Sequence, residues 1–377
     1  MQKTILPPQC LGVMGGGQLA RMFAISAKQM GYKVAIFTPD KECPAKYFAD
    51  HHIIADYEDK NKLSQFAKIC SVITTEFENV PAASLKYLNE FTPTYPNAEA
   101  ILITQDRLKE KDFFNEIGIK TTLYCPINKI EDIQNINNDI FPAILKTNNF
   151  GYDGKGQIKV LNKKDLELAF IHLNKVNCIL EKIVDLEFEA SIILARNSFE
   201  IITYPISKNI HNNGILDFTI SPAEINLDLS NIITEASIKI INKLDYIGVL
   251  TIEFFITKSG QVLANEIAPR PHNSGHHTID ANFTSQFEQQ VRSICNLKLG
   301  ETTLLSNAIM LNLLGDNWQN NLPPSNLHDI LSHYSNIKLH LYEKLVAKEK
   351  RKMGHMTIMG NNIKELLEQM QQLKNLL

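Results

Sequence analysis

Residues 249–270 read VLTIEFFITKSGQVLANEIAPR. Two runs rich in β-branched and aromatic residues flank Ser259-Gly260, a pair suited to a tight hairpin turn. With those two as the turn, Lys258 pairs with Gln261, and counting back along the ladder sets Glu253 opposite Glu266. Directly opposed residues of an antiparallel pair lie about 5 Å apart. Two carboxylates at that spacing repel by roughly 3 kcal/mol at an effective dielectric near 20. Their neighbours Thr251, Ile252, Phe254, Phe255, Ile267 and Ala268 are largely apolar, so solvent does not relieve the conflict. A cation between the two does, and hard oxygen ligands favour Mg2+. A slip of one residue would instead send the carboxylates to opposite faces.

Working outward, strand periodicity adds Arg270 to the face of Glu266 and Ala268. The polar segment APRPHNSGHH (268–277) follows, bringing His272, Asn273, Ser274 and His276 beside the proposed metal. No cysteine or spaced acid supports a zinc site here. Anion binding by Arg270, with hydrogen bonds from the others, fits these residue types better. Upstream, LKTNNFGYDGKGQIKV (145–160) sets Gly151, Gly154 and Gly156 around Tyr152, Asp153 and Lys155. It is not a P-loop, because the G-x-x-x-x-G-K-[ST] spacing is absent and a strand follows. A glycine-rich loop between two strands can fold over a ligand as a flap, its N–H groups meeting phosphate oxygens. Lys146, at the end of the preceding strand, points its charge at the same place. A plain hairpin tip is the other reading.

The first ~100 residues have a different grammar. CLGVM, KVAIF and SVITTEF read as strands and QLARMFAISAKQM as a helix stopped near Gly31, a βαβ pattern that predicts a parallel sheet. GGGQLA (15–20) fits G-x-G-x-x-A between strand and helix, with Asp40 ending the second strand. A dinucleotide, another phosphate ligand or a bare strand–helix turn would each account for it. From ~105, DRLKEKDFFNEIG and SNIITEASIKIINKLD read as helices. FPAILKT, QIKVL, CILEKIV, EFEASIILA and FEIITYPIS read as strands of a mixed α+β region. The tail adds NAIMLNLLG, IKLHLY, HMTIM and an amphipathic helix from about Ile363, with NLPPSN as a loop.

Length and composition set the bounds. A chain of 377 residues suggests two or three domains, and 44% hydrophobic with 21% charged residues is ordinary for a soluble protein. A net charge of −3 and a pI near 6.4 give no pull toward nucleic acid or acidic membranes. No apolar run reaches ~18 residues, and Pro7-Pro8 interrupts any signal-like start, so neither a membrane span nor a signal peptide is expected. Six scattered cysteines without C-x-x-C read as reduced thiols of a cytoplasmic protein.

Lys146, GYDGKGQ (151–157), EKIV (181–184), Glu189 and NEIAPR (265–270) after IEFF together resemble the ATP-grasp ligases. More narrowly, GGGQLARM (15–22), EFENVP (76–81), GYDGKGQ, APRPHNSGHHT (268–278) and RKMGHM (351–356) resemble the N5-carboxyaminoimidazole ribonucleotide synthetases of purine biosynthesis, from about residue 11 to 358. The resemblance implies three parts: a doubly wound pre-ATP-grasp domain (1–104), an ATP-grasp domain (105–296) with a flap at 150–157, and a small β-rich carboxy-terminal domain (297–377). It implies reaction of ATP, bicarbonate and 5-aminoimidazole ribonucleotide with Mg2+, and a homodimer.

The implied roles fall on these positions. Arg107, Lys146, Gly151, Tyr152, Asp153, Gly154, Lys155, Gly156 and Gln157 hold the phosphates. The backbone of Glu181, Lys182, Ile183 and Val184 meets adenine, Glu189 the ribose, and His211 and Asn265 complete the nucleotide pocket. Glu253 and Glu266 hold Mg2+. Gln18, Leu19, Glu76, Tyr152 and Asp153 face the aminoimidazole ribonucleotide, and Asn273 and Ser274 are further substrate-binding positions. Arg270, His272 and Lys352 gather bicarbonate and the departing phosphate, with Arg351 close by, and Asp153 is the candidate base. EFENVP and RKMGHM argue against a formate-using glycinamide ribonucleotide transformylase. An NAD-dependent oxidoreductase would rest on the first glycine cluster alone. The set Lys146, Glu253, Glu266 and Arg270 argues against a silent nucleotide-binding regulator.

Overall fold

The computed structural model describes residues 3–149 and 156–377. The expectations for Gly151, Tyr152, Asp153, Gly154 and Lys155 lie outside the described residues. The amino-terminal region runs β1 (Cys10–Met14), α1 (Gln18–Gln29), β2 (Lys33–Thr38), β3 (His51–Ile54), α2 (Lys60–Ile69), β4 (Val72–Thr75) and α3 (Ala82–Asn89). Its strands form a parallel sheet in the order β3-β2-β1-β4. Helices cover both faces, so β1 is buried along its whole length and reads as a continuous apolar run. Leu11, Val13, Val34 and Ile36 pack against α1, and Phe37 and Ile73 against α2 and α3. The edge strand β3 (HHII) is only partly covered, carries no such run, and is absent from the sequence reading.

The middle region begins with α4 (Ala98–Thr104) and α5 (Arg107–Glu116). Next come β5 (Tyr124–Ile127), β6 (Ala143–Thr147), β7 (Gln157–Val160), α6 (Lys163–His172) and β8 (Cys178–Lys182), which build a four-stranded antiparallel sheet, β5-β8-β6-β7. Leu166, Ala169 and Phe170 of α6 seal one face of it. Lys146 pairs with Gln157, so the glycine-rich loop is carried by a hairpin, as its flanking strands predict.

A second sheet uses β9 (Leu186–Arg196), β10 (Ile201–Thr203), β11 (Ser207–Asn212), β12 (Ile215–Ser221), β13 (Gly248–Thr257) and β14 (Val262–Ala268). Helix α7 (Leu227–Lys243) packs on it through Ile233, Ile240 and Ile241. After α8 (Thr278–Ala281) and α9 (Gln286–Ile294), the tail contributes β15 (Asn307–Leu314), α10 (Leu327–His333), β16 (Ile337–Leu341), β17 (Lys352–Gly360) and α11 (Ile363–Leu376). Its strands extend the same sheet, β14-β13-β9-β11-β12-β15-β17-β16, with β10 beside β9. Phe287, Val291 and Ile294 of α9 and Tyr342 of the tail join the α1 side of the first core. All three regions therefore share packed surfaces. No helix among the described residues is long and apolar enough to cross a membrane.

The β13–β14 hairpin departs from the expected two-residue turn. Thr257 N–H donates to Gln261 O (3.0 Å) and Gly260 N–H to Thr257 O (2.8 Å), so the turn holds Lys258, Ser259 and Gly260. Gly260 has φ +79°, the left-handed conformation that a three-residue hairpin loop demands. Near the turn the pairs are shifted by one, with Ile256 facing Val262 and Phe254 facing Ala264. A β-bulge at Asn265 absorbs the extra residue, and beyond it Glu253 faces Glu266.

Candidate active site

Glu253 is 7% exposed, whereas the Glu266 side chain is 40% exposed. Burial, and then the facing Glu266, push the Glu253 carboxyl up to about 8. One ligand atom each from Glu189, His211 and Glu253 lies within 4.8 Å of the others. His211 Nδ1 is 2.8 Å from Glu189 Oε2. Burial opposes a charge on His211, but Glu189 and Glu253 outweigh it, and its pKa rises. Glu189 on β9 and His211 on β11 thus stand beside the Glu253–Glu266 pair.

Across the cleft, the four-stranded sheet supplies Lys146 and Glu181. Lys146 Nζ is 3.0 Å from Glu181 Oε1, and both side chains are buried. Burial raises the Glu181 carboxyl, but Lys146 and Lys111 outweigh it and hold it at about 2. Arg107 Nη1 is 3.7 Å from Glu266 Oε2, linking the start of α5 to the carboxylate pair. At the end of β8 Lys182 N–H donates to Leu123 O, and just beyond it Ile183 N–H donates to Pro142 O. Among the described residues the Val184 N–H has no partner. Gly156, at φ +70°, accepts from Thr147 N–H and closes the stem of the loop.

Four residues here escaped the sequence reading. Glu110 and Lys111 are buried on α5, and Lys111 Nζ donates to the Asn265 carbonyl at the bulge (2.6 Å). Asn148 ties the glycine loop's stem to α5, accepting from Arg107 N–H on its carbonyl (3.0 Å) and from Leu108 N–H on its side chain (2.9 Å). Glu78 grips Arg270 through both carboxylate oxygens, Nε on one and Nη2 on the other, while Nη1 donates to Pro271 O. Only for α5 was there a local signal: Arg107, Glu110, Lys111 and Phe114 fall at i, i+3, i+4 and i+7, one helix face.

The 268–277 segment is packed rather than open. Burial drives His272 well below the ordinary histidine range, so it is neutral. Its Nδ1 meets Ser274 Oγ (2.9 Å) and its Nε2 lies 3.5 Å from Glu253 Oε1. Asn273 and Ser274, expected among the substrate-binding residues, have their side chains engaged within the protein. Asn273 exchanges two hydrogen bonds with Asn312 (3.0 and 2.9 Å), and fully buried Ser274 lies between His272 and Ser191. Their polar atoms are engaged within the protein and shape the loop. Arg351 donates to Val346 O (2.7 Å), and Lys352 opens β17 close enough to influence Glu78 and His272 electrostatically.

The amino-terminal glycines admit a side chain of this chain. Glu76 accepts from the N–H groups of Gly17 and Ala20 (the latter 3.0 Å), where α1 begins. A Cβ on Gly15, at φ +107°, would meet Glu76 Cγ at 2.5 Å, and one on Gly17 would meet Glu76 Oε1 at 2.8 Å. The Gly17 and Ala20 amides are thus satisfied by a carboxylate of the chain itself. Gln18 stays half-buried at the rim, and the Leu19 side chain lies in the core.

Comparisons with known proteins agree with this layout. The chain matches models of the ribonucleotide synthetase preATP-grasp domain (residues 9–105), the ATP-grasp domain (112–287) and the phosphoribosylaminoimidazole carboxylase C-terminal domain (308–369). It is 39% identical over 360 residues to an N5-carboxyaminoimidazole ribonucleotide synthase of Bacillus subtilis, covering 95% of this chain and 93% of the relative. The chain belongs to the N5-carboxyaminoimidazole ribonucleotide synthase family. A solved ADP complex of an N5-carboxyaminoimidazole ribonucleotide synthetase superposes with a TM-score of 0.94 at 39% identity, covering 99% of this chain and 98% of the other. An N5-carboxyaminoimidazole synthase of Aspergillus clavatus, solved with ADP and 5-aminoimidazole ribonucleotide, gives 0.89 at 26% identity, with 98% of each chain covered. As an N5-carboxyaminoimidazole ribonucleotide synthase, the chain is an ATP-grasp ligase, and the oxidoreductase and transformylase alternatives fall away.

Proposed function

We propose that this chain joins bicarbonate to the exocyclic amine of 5-aminoimidazole ribonucleotide, driven by ATP, and releases N5-carboxyaminoimidazole ribonucleotide, ADP and phosphate. The observation that carries this reading is the Glu253–Glu266 pair, set between the Lys146–Glu181 side of the cleft and the Arg270–His272 loop. A nucleotide held from one side and a small anion from the other would meet there.

The donor set fits Mg2+. Burial, and then the facing Glu266, keep a proton on Glu253, a conflict a cation would relieve, and carboxylate oxygens suit a hard cation. Glu253 and Glu266 would hold the ion, which when bound supplies charge neutralisation at the phosphate oxygens. Arg107 and Lys146 bind the phosphates, Val184 N–H meets the base edge, and Glu189 the ribose. Transfer of the γ-phosphoryl group to a bicarbonate oxygen gives carboxyphosphate, a mixed anhydride that water destroys, so the site must exclude solvent. Nitrogen of the aminoimidazole then attacks the carboxyl carbon, the bond to the phosphate oxygen breaks, and the amine proton passes to Asp153 or to the departing phosphate. Arg270, fixed by Glu78, and Lys352 supply positive charge for that phosphate. His272, being neutral, contributes a hydrogen bond and no charge. Glu76 shapes the aminoimidazole side by holding the start of α1. We also infer a cytoplasmic homodimer, supported by family resemblance.

The test is phosphate release from Mg·ATP with each component omitted in turn. Release that requires both 5-aminoimidazole ribonucleotide and bicarbonate supports the reading. Release indifferent to the ribonucleotide contradicts it.

A further inference from the structure

Two buried lysines share one buried carboxylate. Lys146 reaches Glu181 Oε1 at 3.0 Å and Lys111 lies 3.7 Å from Oε2, with Lys111 2% exposed and Glu181 3% exposed. Lys111 also donates to the Asn265 carbonyl (2.6 Å), the bulged residue that puts Glu266 opposite Glu253. One step back along α5, Glu110 accepts from Ile267 N–H (2.7 Å), the residue after Glu266. A buried ammonium is costly unless it is paired and hydrogen-bonded, as Lys111 is by Glu181 and the Asn265 carbonyl. We propose that Lys111 is a positioning residue for the nucleotide site, neutralising Glu181 so that Lys146 keeps its charge for phosphate, and pinning the bulge that sets the two metal-facing carboxylates in register.

Charge counting supports the first half. Burial lowers the Lys111 ammonium's pKa and Glu181 opposes that fall; with Lys111 charged and Glu110 holding its proton at about 8, the group of two lysines and Glu181 carries a net +1. Without Lys111, Lys146 and Glu181 form a neutral pair, and an incoming phosphate must compete with Glu181 for Lys146. The bonding geometry supports the second half. Lys111 and Glu110 both grip backbone of β14, on either side of Glu266, and α5 itself is fixed through Asn148 to the stem of the glycine loop. One helix thus connects the loop, the phosphate-facing lysine and the metal pair.

The inference rests on the nucleotide-site reading given above, and ADP binding tests it without the carboxylation reaction. Titration calorimetry with Mg·ADP compares the wild type, Lys111→Met and the double variant Lys111→Met/Glu181→Gln. Lys111→Met is expected to weaken ADP roughly 10- to 100-fold, the effect of one net charge near the phosphates. The double variant, which frees Lys146 again, is expected to recover most of that loss. A purely packing role for Lys111 gives no such recovery, and a double variant no better than Lys111→Met overturns the charge argument, as does Lys111→Met binding within about twofold of the wild type. Should Lys111→Met fail to fold, Glu181→Gln alone serves: its ADP affinity is expected to equal or exceed the wild type, and a loss beyond about threefold overturns the proposal. Failure of the wild type itself to bind ADP would strike at the nucleotide-site reading instead.

Discussion

Replacing Glu253 by Gln tests the metal pair through stability as well as turnover. The carboxyl is held at about 8 against an ordinary value of 4.5, which corresponds to roughly 5 kcal/mol opposing ionisation. Burial is the larger cause and repulsion from the facing Glu266 the second. In the folded, metal-free protein Glu253 therefore holds a proton that the unfolded chain loses near 4.5. Its contribution to stability is full below about 4.5 and disappears as pH rises through about 8. Glu110 is likewise held at about 8 and adds a slope of its own, so the informative quantity is the difference between wild type and Glu253→Gln. The wild type should lose more stability between pH 5 and 9 than the variant, by up to roughly 5 kcal/mol. Mg·ADP should flatten the wild-type profile, because a bound cation favours the ionised pair, and its binding near pH 7 should release a proton. Urea unfolding at several pH values, with calorimetry in buffers of different ionisation enthalpy, reads both effects. Identical pH profiles for the two proteins, or no proton release on binding Mg·ADP, would refute the reasoning.

Other consequences are smaller to state. Glu266→Gln should lower turnover at least ~100-fold at saturating Mg2+ while the fold survives, since metal-bound charge stabilisation is worth several kcal/mol; near-normal steady-state rates would remove Glu266 from the site. Glu76→Ala should cost about 1–2 kcal/mol of stability, as for a lost helix cap, and raise the KM for 5-aminoimidazole ribonucleotide more than that for ATP; equal effects on both substrates would argue against a local role. Gly260→Ala, at φ +79° with open space around the added methyl, should destabilise by about 1 kcal/mol through backbone strain alone and leave turnover intact. Lys352→Ala should weaken the ribonucleotide or bicarbonate dependence about 10-fold or more with ADP affinity unchanged, which titration with each ligand separately would show.

Much of the site was legible because its chemistry sits in short segments with strong periodicity. Lys146 at a strand end, the glycine loop and the alternation through Glu266, Ala268 and Arg270 could be read locally. The carboxylate pairing was reached by a register whose two departures cancel: a three-residue turn shifted the ladder, and the bulge at Asn265 shifted it back. Turn length and bulge depend on which face packs on α4, α5 and α7, and that is invisible from the hairpin alone. Glu110 and Lys111 went unread because adjacent charges on a helix ordinarily face water; their helical alignment with Arg107 and Phe114 was the available signal. Glu78 and Arg270 are 192 residues apart, so nothing local announces their pairing. The partners of Asn273 and Ser274 were likewise invisible locally: Asn312 and Ser191 reach them from distant strands, and only His272 is near in sequence.

The most direct test of the central claim follows carbon. The enzyme is incubated with Mg·ATP, 5-aminoimidazole ribonucleotide and 13C-bicarbonate, and the labelled carbon is observed by NMR while phosphate is measured in the same tube. The account predicts a new carbamate carbon on the exocyclic nitrogen, formed one for one with phosphate and lost on acidification. Phosphate release without a labelled carbamate, or label attached directly to a ring carbon, would contradict it.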